Sequence, residues 1–352
     1  MARTMRLRSE LVAAAHAAIV ILHNHRRSLS RSARRSGSGR PVPVLAGAAA
    51  VAAGALLASA CANENTRSES ESTMSATTSK PSTATQRRTV NAAGTTFAVE
   101  LRGDGPSLLV IHGGGEDAAM MAPLAERLAA SGRRVITYDR RGTGASGRDD
   151  WPGSGARQHA DDAAALLRAL HVDRAQVLGL SSGGIIALEL AIRHPSVVGR
   201  TFVWEAPAVG VVPGGKALNT QVMAPIERHL ARHPGDFVGA QAILLSAVLG
   251  SRVTVDDPRF AGARANAEPM IRDEPAIALQ AFSARELADL DVTIAVGTAP
   301  NEIVDAASRR LSELTGRPPV VVDTDDHEIY LTHPRVLADV VTPPAGPVPN
   351  AD

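Results

Sequence analysis

Short apolar runs alternate along the chain with segments in which apolar residues recur at helical spacing. Nearly continuous runs of Val, Ile and Leu are typical of parallel strands that are covered on both faces. The helical segments between them indicate crossover helices, so the pattern predicts an α/β fold with an open, mostly parallel, doubly wound sheet. The predicted strands are residues 107–111, 134–138, 175–180, 200–205, 292–296 and 319–323.

The predicted helices follow those strands, and two further strands precede them. Segments 87–90 and 95–103 read as antiparallel edge strands joined at Ala93 and Gly94. Pro195 ends one helical segment and Gly316 follows another, as stop signals do. The predicted helices are residues 120–132, 156–171, 183–195, 302–316 and 334–341.

One interval, residues 208–285, breaks the alternation. It contains helical stretches at 221–233 and 237–250 and no strong strand. Because ligands bind at the carboxyl edge of the strands in open α/β sheets, an insertion at this point predicts a helical cap over that edge. The alternative is an insert that only packs against the periphery.

The beginning of the chain has the pattern of an export signal. An alanine-rich apolar run, residues 41–60, follows several Arg residues. The sole cysteine, Cys61, comes directly after it, and the arrangement resembles a bacterial lipobox. The resemblance implies cleavage before Cys61, palmitate or a similar lipid on this residue, and a membrane-anchored lipoprotein with its catalytic domain on the extracytoplasmic side. An uncleaved transmembrane anchor is the alternative.

Composition separates this leader from the rest of the chain. Residues 61–87 are rich in Ser and Thr, and this composition predicts a flexible tether. We expect residues 88–341 to form a folded domain and residues 342–352 to be a disordered tail. Nine Arg and a single acidic residue, Glu10, lie within residues 1–40, so the remainder is net acidic. An acidic body argues against a nucleic-acid partner.

The candidate nucleophile lies where a predicted strand meets a predicted helix. The sequence there is Gly179-Leu180-Ser181-Ser182-Gly183. A G-x-S-x-G turn between a strand and a helix is typical of a nucleophile elbow, in which Ser181 takes a strained conformation and its neighbours two places away must be small.

A glycine turn ends the first parallel strand, in the sequence His112-Gly113-Gly114-Gly115. Such a turn frees a backbone N–H for a developing oxyanion, and we expect the N–H groups of Gly114 and Ser182 to form the oxyanion hole. A phosphate-binding loop is disfavoured, because no Lys-Ser/Thr pair follows the glycines.

These motifs resemble the α/β-hydrolase fold superfamily, from about residue 88 to residue 341. The resemblance includes the glycine turn, the loop 138–147, the elbow, and the sequence DDHEIYLTHP near the end. In this superfamily the catalytic histidine follows the last strand, with a proline about two helical turns later. His327 and Pro334 fit that pattern, so the resemblance assigns His327 as the base for Ser181.

The catalytic acid departs from the superfamily pattern. Relatives place an Asp after the penultimate strand, whereas this chain has Pro300 and Asn301 there. Some relatives use a carboxylate after the strand that follows the elbow, where this chain has Glu205. We therefore favour Glu205, with Glu302 and the absence of any acid as alternatives.

Together these features predict a serine hydrolase that cleaves an ester, thioester or related acyl bond of a small molecule through an acyl-enzyme on Ser181. No cofactor is implied, and no metal-ligand spacing is present. Peptidase, amidase and perhydrolase activities are alternatives. A non-catalytic surface protein that binds a ligand in the capped pocket is the alternative from another class. The sequence says nothing about oligomeric state or the particular substrate.

Overall fold

A computed structural model describes residues 84–249 and 251–342. The leader, Cys61, most of the predicted tether and nearly all of the predicted tail lie outside the described residues. Eight strands form one sheet in the order β1-β2-β4-β3-β5-β6-β7-β8. They are β1 (Gln86–Ala92), β2 (Thr95–Arg102), β3 (Ser107–Ile111), β4 (Arg134–Tyr138), β5 (Ala175–Leu180), β6 (Val198–Trp204), β7 (Val292–Gly297) and β8 (Val320–Val322).

The sheet is mostly parallel, as predicted. β1 pairs antiparallel with β2 and β2 antiparallel with β4, whereas every other neighbouring pair is parallel. β3, β4 and β5 have the predicted bounds. β6 begins two residues earlier than predicted, and β8 is shorter at both ends.

Helices cover both faces of the parallel part of the sheet, which explains why its central strands β3 and β5 are almost entirely apolar. In β3, Leu109 and Ile111 join the core on one face, and Leu108 and Val110 join the core on the other. Successive side chains of a strand point to opposite faces, so both sets are buried. The flanking helices are α1 (Ala122–Ala130), α2 (Ala156–Ala169), α3 (Ser182–Arg193), α8 (Glu302–Thr315), α9 (Ile329–Thr332) and α10 (Pro334–Val341).

The strand order creates a crevice beside β3 and β5. These two strands are parallel neighbours, but the chain passes from β3 outward to β4 on one side and from β5 to β6 on the other. Their following loops therefore diverge at the carboxyl edge of the sheet, which is the usual ligand position in open α/β folds. The glycine turn and Ser181 both lie there.

The chain between β6 and β7 is helical. It contains α4 (Gly215–Arg232), α5 (Phe237–Leu249), α6 (Ala267–Ala278) and the short α7 (Ala284–Leu287), besides three 3₁₀ turns. Buried residues of α4, α5 and α6 form an apolar cluster of their own, which includes Ile226, Leu244 and Ile271. We refer to α4–α6 as the cap helices.

The helix α6 has no counterpart among the predicted elements. Its sequence contains Pro269 and Pro275, which disfavour a helix reading. Polar contacts hold it to the sheet domain: Trp151 Nε1 donates to Asp273 at 2.7 Å, and Arg140 forms an ion pair with Glu274 at 2.8 Å.

The membrane prediction concerns the leader, which the structure does not describe. Within residues 84–249 and 251–342, no helix has both the length and the apolar character needed to cross a bilayer.

Candidate active site

Ser181 occupies a strained turn between β5 and α3. Its backbone φ is +51°, a left-handed value that costs free energy for a residue with a side chain. The turn is tight because a Cβ on Gly179 would lie 2.4 Å from the carbonyl oxygen of Gly183. A Cβ on Gly183 would lie 2.2 Å from the carbonyl oxygen of Ile111. Both glycines of the motif are therefore required by close backbone approach.

The structure brings Ser181, His327 and Glu205 into one hydrogen-bonded chain. His327 Nε2 lies 3.1 Å from Ser181 Oγ, and His327 Nδ1 lies 2.6 Å from Glu205 Oε2. The carboxylate can only accept, so Nδ1 carries a proton and Nε2 is free to accept from the serine hydroxyl. This is the arrangement of a nucleophile, a base and a group that orients the base.

The side chain of Glu205 is held by a contact other than the one to His327. Glu205 follows β6 with a φ of +44°, and only 3% of the residue's surface is exposed. Its Oε1 accepts a hydrogen bond from the backbone N–H of Gly297 at 2.9 Å, at the end of the neighbouring strand β7. The second oxygen is thereby aimed at His327. The histidine is held from the other side, since its carbonyl oxygen accepts from Trp204 Nε1 at 2.8 Å.

Burial and Glu205 have opposite effects on the pKa of His327. Burial works to lower it, but the hydrogen bond and the negative charge of Glu205 outweigh burial, with smaller contributions from Glu328 and Glu116. The pKa of His327 is therefore raised above its ordinary value of 6.5. An imidazolium that forms when His327 takes a proton is stabilised by the same carboxylate.

The position at which relatives carry an Asp has a structural role in this chain. Asn301 is the N-cap of α8, and its Oδ1 accepts from the backbone N–H groups of Ile303 and Val304 at 3.0 Å each. Glu302 is exposed in the first turn of α8. Glu205 rather than Glu302 thus lies against His327.

The predicted oxyanion donors lie on either side of Ser181. Ser182 is the first residue of α3, where a backbone N–H has no acceptor within the helix and the helix dipole favours negative charge. Gly114 lines the same cavity as Ser181. The N–H of the preceding residue, Gly113, is already engaged by Glu116 Oε2 at 2.7 Å, so Gly113 is not available as an oxyanion donor.

Two buried side chains fix the glycine turn. His112 Nδ1 donates to the carbonyl oxygen of Gly113 at 2.8 Å, and His112 Nε2 accepts from the backbone N–H of Arg140 at 3.1 Å. Burial, and after it the charge of Arg140, hold the pKa of His112 well below its ordinary value, so this imidazole is neutral. Arg140 Nη2 also reaches the carbonyl of Gly113, at 3.3 Å.

A cavity of about 140 Å³ opens above Ser181 and His327, between the sheet edge and the cap helices. Most of its lining is aliphatic. Three carboxylates also face it, Glu116, Glu274 and Glu328, and none of the lining residues within the described chain is Lys or Arg. The aliphatic lining comprises Pro207, Val209, Leu218, Val222, Met223, Leu244, Leu245, Val248, Leu249, Met270, Pro275, Ala278, Ile303 and Val304.

Glu116 and Tyr330 are two buried residues of the site that no sequence motif marks. Glu116 comes directly after the glycine turn and is only 5% exposed, and Tyr330 lies three residues after His327. The Tyr330 hydroxyl donates to Glu116 Oε1 at 2.7 Å. The available signal was the position of each residue beside a motif, Glu116 directly after the glycine turn and Tyr330 close after His327.

A serine elbow at the carboxyl edge of a mostly parallel sheet, with a histidine after the last strand, defines an α/β hydrolase. The chain belongs to the serine aminopeptidase S33 family, which matches residues 106–315. The expected superfamily is thereby confirmed.

Curated relatives share part of this domain. The uncharacterized hydrolase YraK of Bacillus subtilis is 40% identical over 111 residues, which is 31% of this chain and 41% of YraK. The putative carbamate hydrolase RutD of Rhizobium rhizogenes is 34% identical over 105 residues, 30% of this chain and 40% of RutD. The match therefore spans about two fifths of these relatives' length.

Solved structures match over more of the fold. An α/β hydrolase from Sphaerobacter thermophilus aligns with a TM-score of 0.58 at 26% identity, covering 72% of this chain and 98% of that protein. The predicted α/β-hydrolase architecture is confirmed by this likeness and by the strand order of the sheet.

Proposed function

We propose that this protein is a serine hydrolase that cleaves an ester, thioester or related acyl bond through an acyl-enzyme on Ser181. The observation that carries the proposal is the hydrogen-bonded chain from Ser181 through His327 to Glu205, placed beneath an apolar cavity. No other group in the described chain is placed to activate Ser181.

In the proposed acylation step, Ser181 Oγ bonds to the carbonyl carbon and its proton passes to His327 Nε2. The carbonyl oxygen becomes an oxyanion that accepts from the N–H groups of Gly114 and Ser182, each worth about 3 kcal/mol in related sites. The bond to the leaving group then breaks, and the leaving group takes the proton from Nε2. Water attacks the acyl-enzyme by the same route, releasing the acid and restoring the serine.

The cavity supports a substrate with a compact apolar acyl group. An apolar cavity of roughly 150 Å³ accommodates a benzene ring, and the space above Ser181 is similar, about 140 Å³. We therefore infer that acyl groups from about butanoyl to benzoyl size fit best, since smaller groups leave apolar surface unburied at about 0.8 kcal/mol per methylene. Hydrolysis rates for a series of p-nitrophenyl esters, from acetate to dodecanoate, test this inference.

Fluorophosphonate labelling tests the nucleophile directly. The serine oxygen displaces fluoride from phosphorus, and its proton leaves through the histidine. We expect covalent labelling of the wild type on Ser181 and none in Ser181→Ala, with Ser182→Ala, which retains its backbone N–H, as the matched control that keeps labelling. A wild type that is not labelled, yet binds small apolar molecules in the cavity, would support the non-catalytic binding protein instead.

A second candidate is hydrolysis of amides or esters that carry a free amine, as the family name aminopeptidase suggests. The observation in favour is the three carboxylates facing the cavity, Glu116, Glu274 and Glu328, without a lining Lys or Arg in the part of the chain described. Glu274 is paired with Arg140, and both oxygens of Glu116 accept hydrogen bonds within the protein, so Glu328 is the carboxylate available to an ammonium. The comparison of alanine p-nitroanilide with its N-acetyl derivative tests it: preference for the free amine supports this candidate, and preference for the blocked form rejects it.

We further propose that the enzyme is exported and anchored to the outer side of a membrane through a lipid on Cys61. The support is the sequence pattern alone, an apolar run ending directly before the sole cysteine. Expression of the full chain with labelled palmitate tests the proposal. We expect the label in the membrane fraction of the wild type and its loss in Cys61→Ser, whereas equal membrane retention of both without label would indicate an uncleaved anchor.

A further inference from the structure

Glu116 connects the two loops that carry the proposed catalytic groups. One carboxylate oxygen, Oε2, accepts from the backbone N–H of Gly113 in the glycine turn at 2.7 Å. The other, Oε1, accepts from the hydroxyl of Tyr330 at 2.7 Å, one helical turn after His327. Both hydrogen bonds are buried. A carboxylate that accepts twice in a buried place is a costly arrangement, because burial penalises its charge.

The contact with Gly113 bears on the oxyanion hole. An ideal Cβ on Gly113 would lie 3.1 Å from Glu116 Oε2 and equally close to Cβ of Ser181, so Glu116 and the serine both pack against the same side of this residue. The N–H of Gly114 belongs to the peptide that begins with the Gly113 carbonyl, and that carbonyl oxygen accepts from His112 Nδ1 and Arg140 Nη2. Glu116 holds the peptide immediately before it, so Glu116, His112 and Arg140 together set the direction of the Gly114 N–H.

On these contacts, and resting on the proposed function, we propose that Glu116 is a positioning residue. In its ionised form it holds the glycine turn to the turn that bears His327, and Tyr330 fixes its other oxygen. Protonation of Glu116 breaks this arrangement and lowers the rate at which Ser181 is acylated.

The ionisation state is set by the groups that face Glu116. Burial raises the pKa of Glu116, and the hydrogen bonds from Tyr330 and Gly113 lower it by less, so the pKa is raised to about 7. The nearby charges of Glu328 and His327 act in opposite senses, the first raising and the second lowering this pKa. Glu274 of α6 lies beside Gly114, but it is paired with Arg140. Glu116 therefore titrates near neutral pH.

Glu116→Gln imitates the protonated form. The amide oxygen can still accept from Gly113, but the amide nitrogen must donate toward Tyr330, whose own hydroxyl hydrogen then lacks its acceptor. The negative charge that helps to stabilise the His327 imidazolium is also removed. A charge-assisted hydrogen bond is worth enough that we expect at least about a tenfold loss of rate at pH 8.5.

The pH profile of labelling by a fluorophosphonate separates positioning from a merely structural role. As the pH falls, protonation of His327 and protonation of Glu116 both slow labelling of the wild type, so the logarithm of the labelling rate constant falls with a slope steeper than one over the range in which Glu116 takes up its proton. In Glu116→Gln only His327 titrates, and the slope is one. Thermal melting at pH 8.5 confirms that the variant is folded.

Two neighbouring variants shift the profile in opposite directions. Tyr330→Phe removes a hydrogen bond that lowers the pKa of Glu116, so the acidic limb moves to higher pH. Glu328→Gln removes a negative charge that raises the pKa of both Glu116 and His327. The fall in labelling rate on the acidic side of the profile therefore moves to lower pH. A residue that only supports the fold would not respond with opposite shifts.

The outcomes separate this inference from the proposed function. Labelling of the wild type on Ser181 with a slope steeper than one, reduced to one in Glu116→Gln, supports both. Labelling of the wild type with an unchanged slope and rate in Glu116→Gln, or a faster rate at pH 8.5, overturns the role of Glu116 only. Failure of the wild type to label overturns the acyl-enzyme itself, and the inference with it.

Discussion

His327 Nδ1 lies 2.6 Å from Glu205 Oε2, although 122 residues separate them in sequence. The carboxylate follows β6, and it reaches the histidine because β6, β7 and β8 are consecutive neighbours in the sheet. Gly297, at the end of β7, supplies the N–H that orients it. The acid is therefore one strand away from where most relatives carry it, and Asn301 at that place caps α8.

Glu205→Gln should abolish most activity without unfolding the protein. The amide can keep its contact with Gly297, but its NH₂ group faces Nδ1 and forces the wrong tautomer of His327. The corresponding substitution in a serine triad lowers kcat about 10⁴-fold. Hydrolysis of p-nitrophenyl butanoate measures the effect, with Glu302→Gln as the control that we expect to equal the wild type. Equal loss in both variants would reject Glu205 as the acid.

Glu116→Gln should make the stability of the protein less dependent on pH. The folded-state pKa of Glu116 is about 7 against 4.5 for an ordinary Glu, so the folded state holds the proton more tightly. Its contribution to stability is fully present below pH 4.5 and is lost as the pH rises through 7, at a total of about 3 kcal/mol. Urea unfolding at pH 5 and pH 8 should show this loss in the wild type and not in the variant. Identical pH dependence in both would contradict the buried, ionised carboxylate.

Gly183→Ala should destabilise the elbow. The new Cβ would lie 2.2 Å from the carbonyl oxygen of Ile111, which belongs to β3 and cannot move aside. We expect a loss of about 3 kcal/mol in the free energy of unfolding, together with lost labelling of Ser181. Gly199→Ala is the matched control, because a Cβ there meets its nearest atom at an ordinary 3.4 Å. Comparable melting temperatures for the two variants would refute the close approach.

Leu244→Ala should lengthen the acyl group that the enzyme prefers. Leu244 lies on α5, is buried and lines the cavity, so its truncation adds space above Ser181. We expect the kcat/KM ratio of octanoate to butanoate p-nitrophenyl esters to rise about tenfold. Leu311→Ala, buried in α8 on the other side of the sheet from α1, is the control for general loss of stability. An equal ratio in both variants would show that α5 does not face the acyl group.

The sheet and the candidate triad were predictable from sequence because each carries a local signal. Strands buried on both faces must be apolar throughout. Gly179 is imposed by backbone contacts within five residues, whereas Gly183 is imposed by the backbone of Ile111 on the neighbouring strand. His327 was reached through its resemblance to relatives. Glu205 was favoured because Pro300 and Asn301 left the usual position without a carboxylate, and the geometry brings Glu205 to His327.

The parts that sequence reasoning missed depend on contacts between distant segments. The helix α6 was hidden by its two prolines, and it is held by Asp273 and Glu274, whose partners Trp151 and Arg140 lie more than 120 residues away. Glu116 and Tyr330 are 214 residues apart. The sequence around Glu116 and the sequence around Tyr330 do not indicate that these residues meet, because a single buried carboxylate produces no repeating pattern along the chain.

The central claim is that Ser181 becomes covalently acylated during turnover, and mass spectrometry of the acid-quenched reaction tests it most directly. After brief incubation with p-nitrophenyl butanoate, we predict a single added butanoyl group on the peptide that contains Ser181, and no addition in Ser181→Ala. Turnover by Ser181→Ala at the rate of the wild type, or an acyl group found on another residue, would contradict the account.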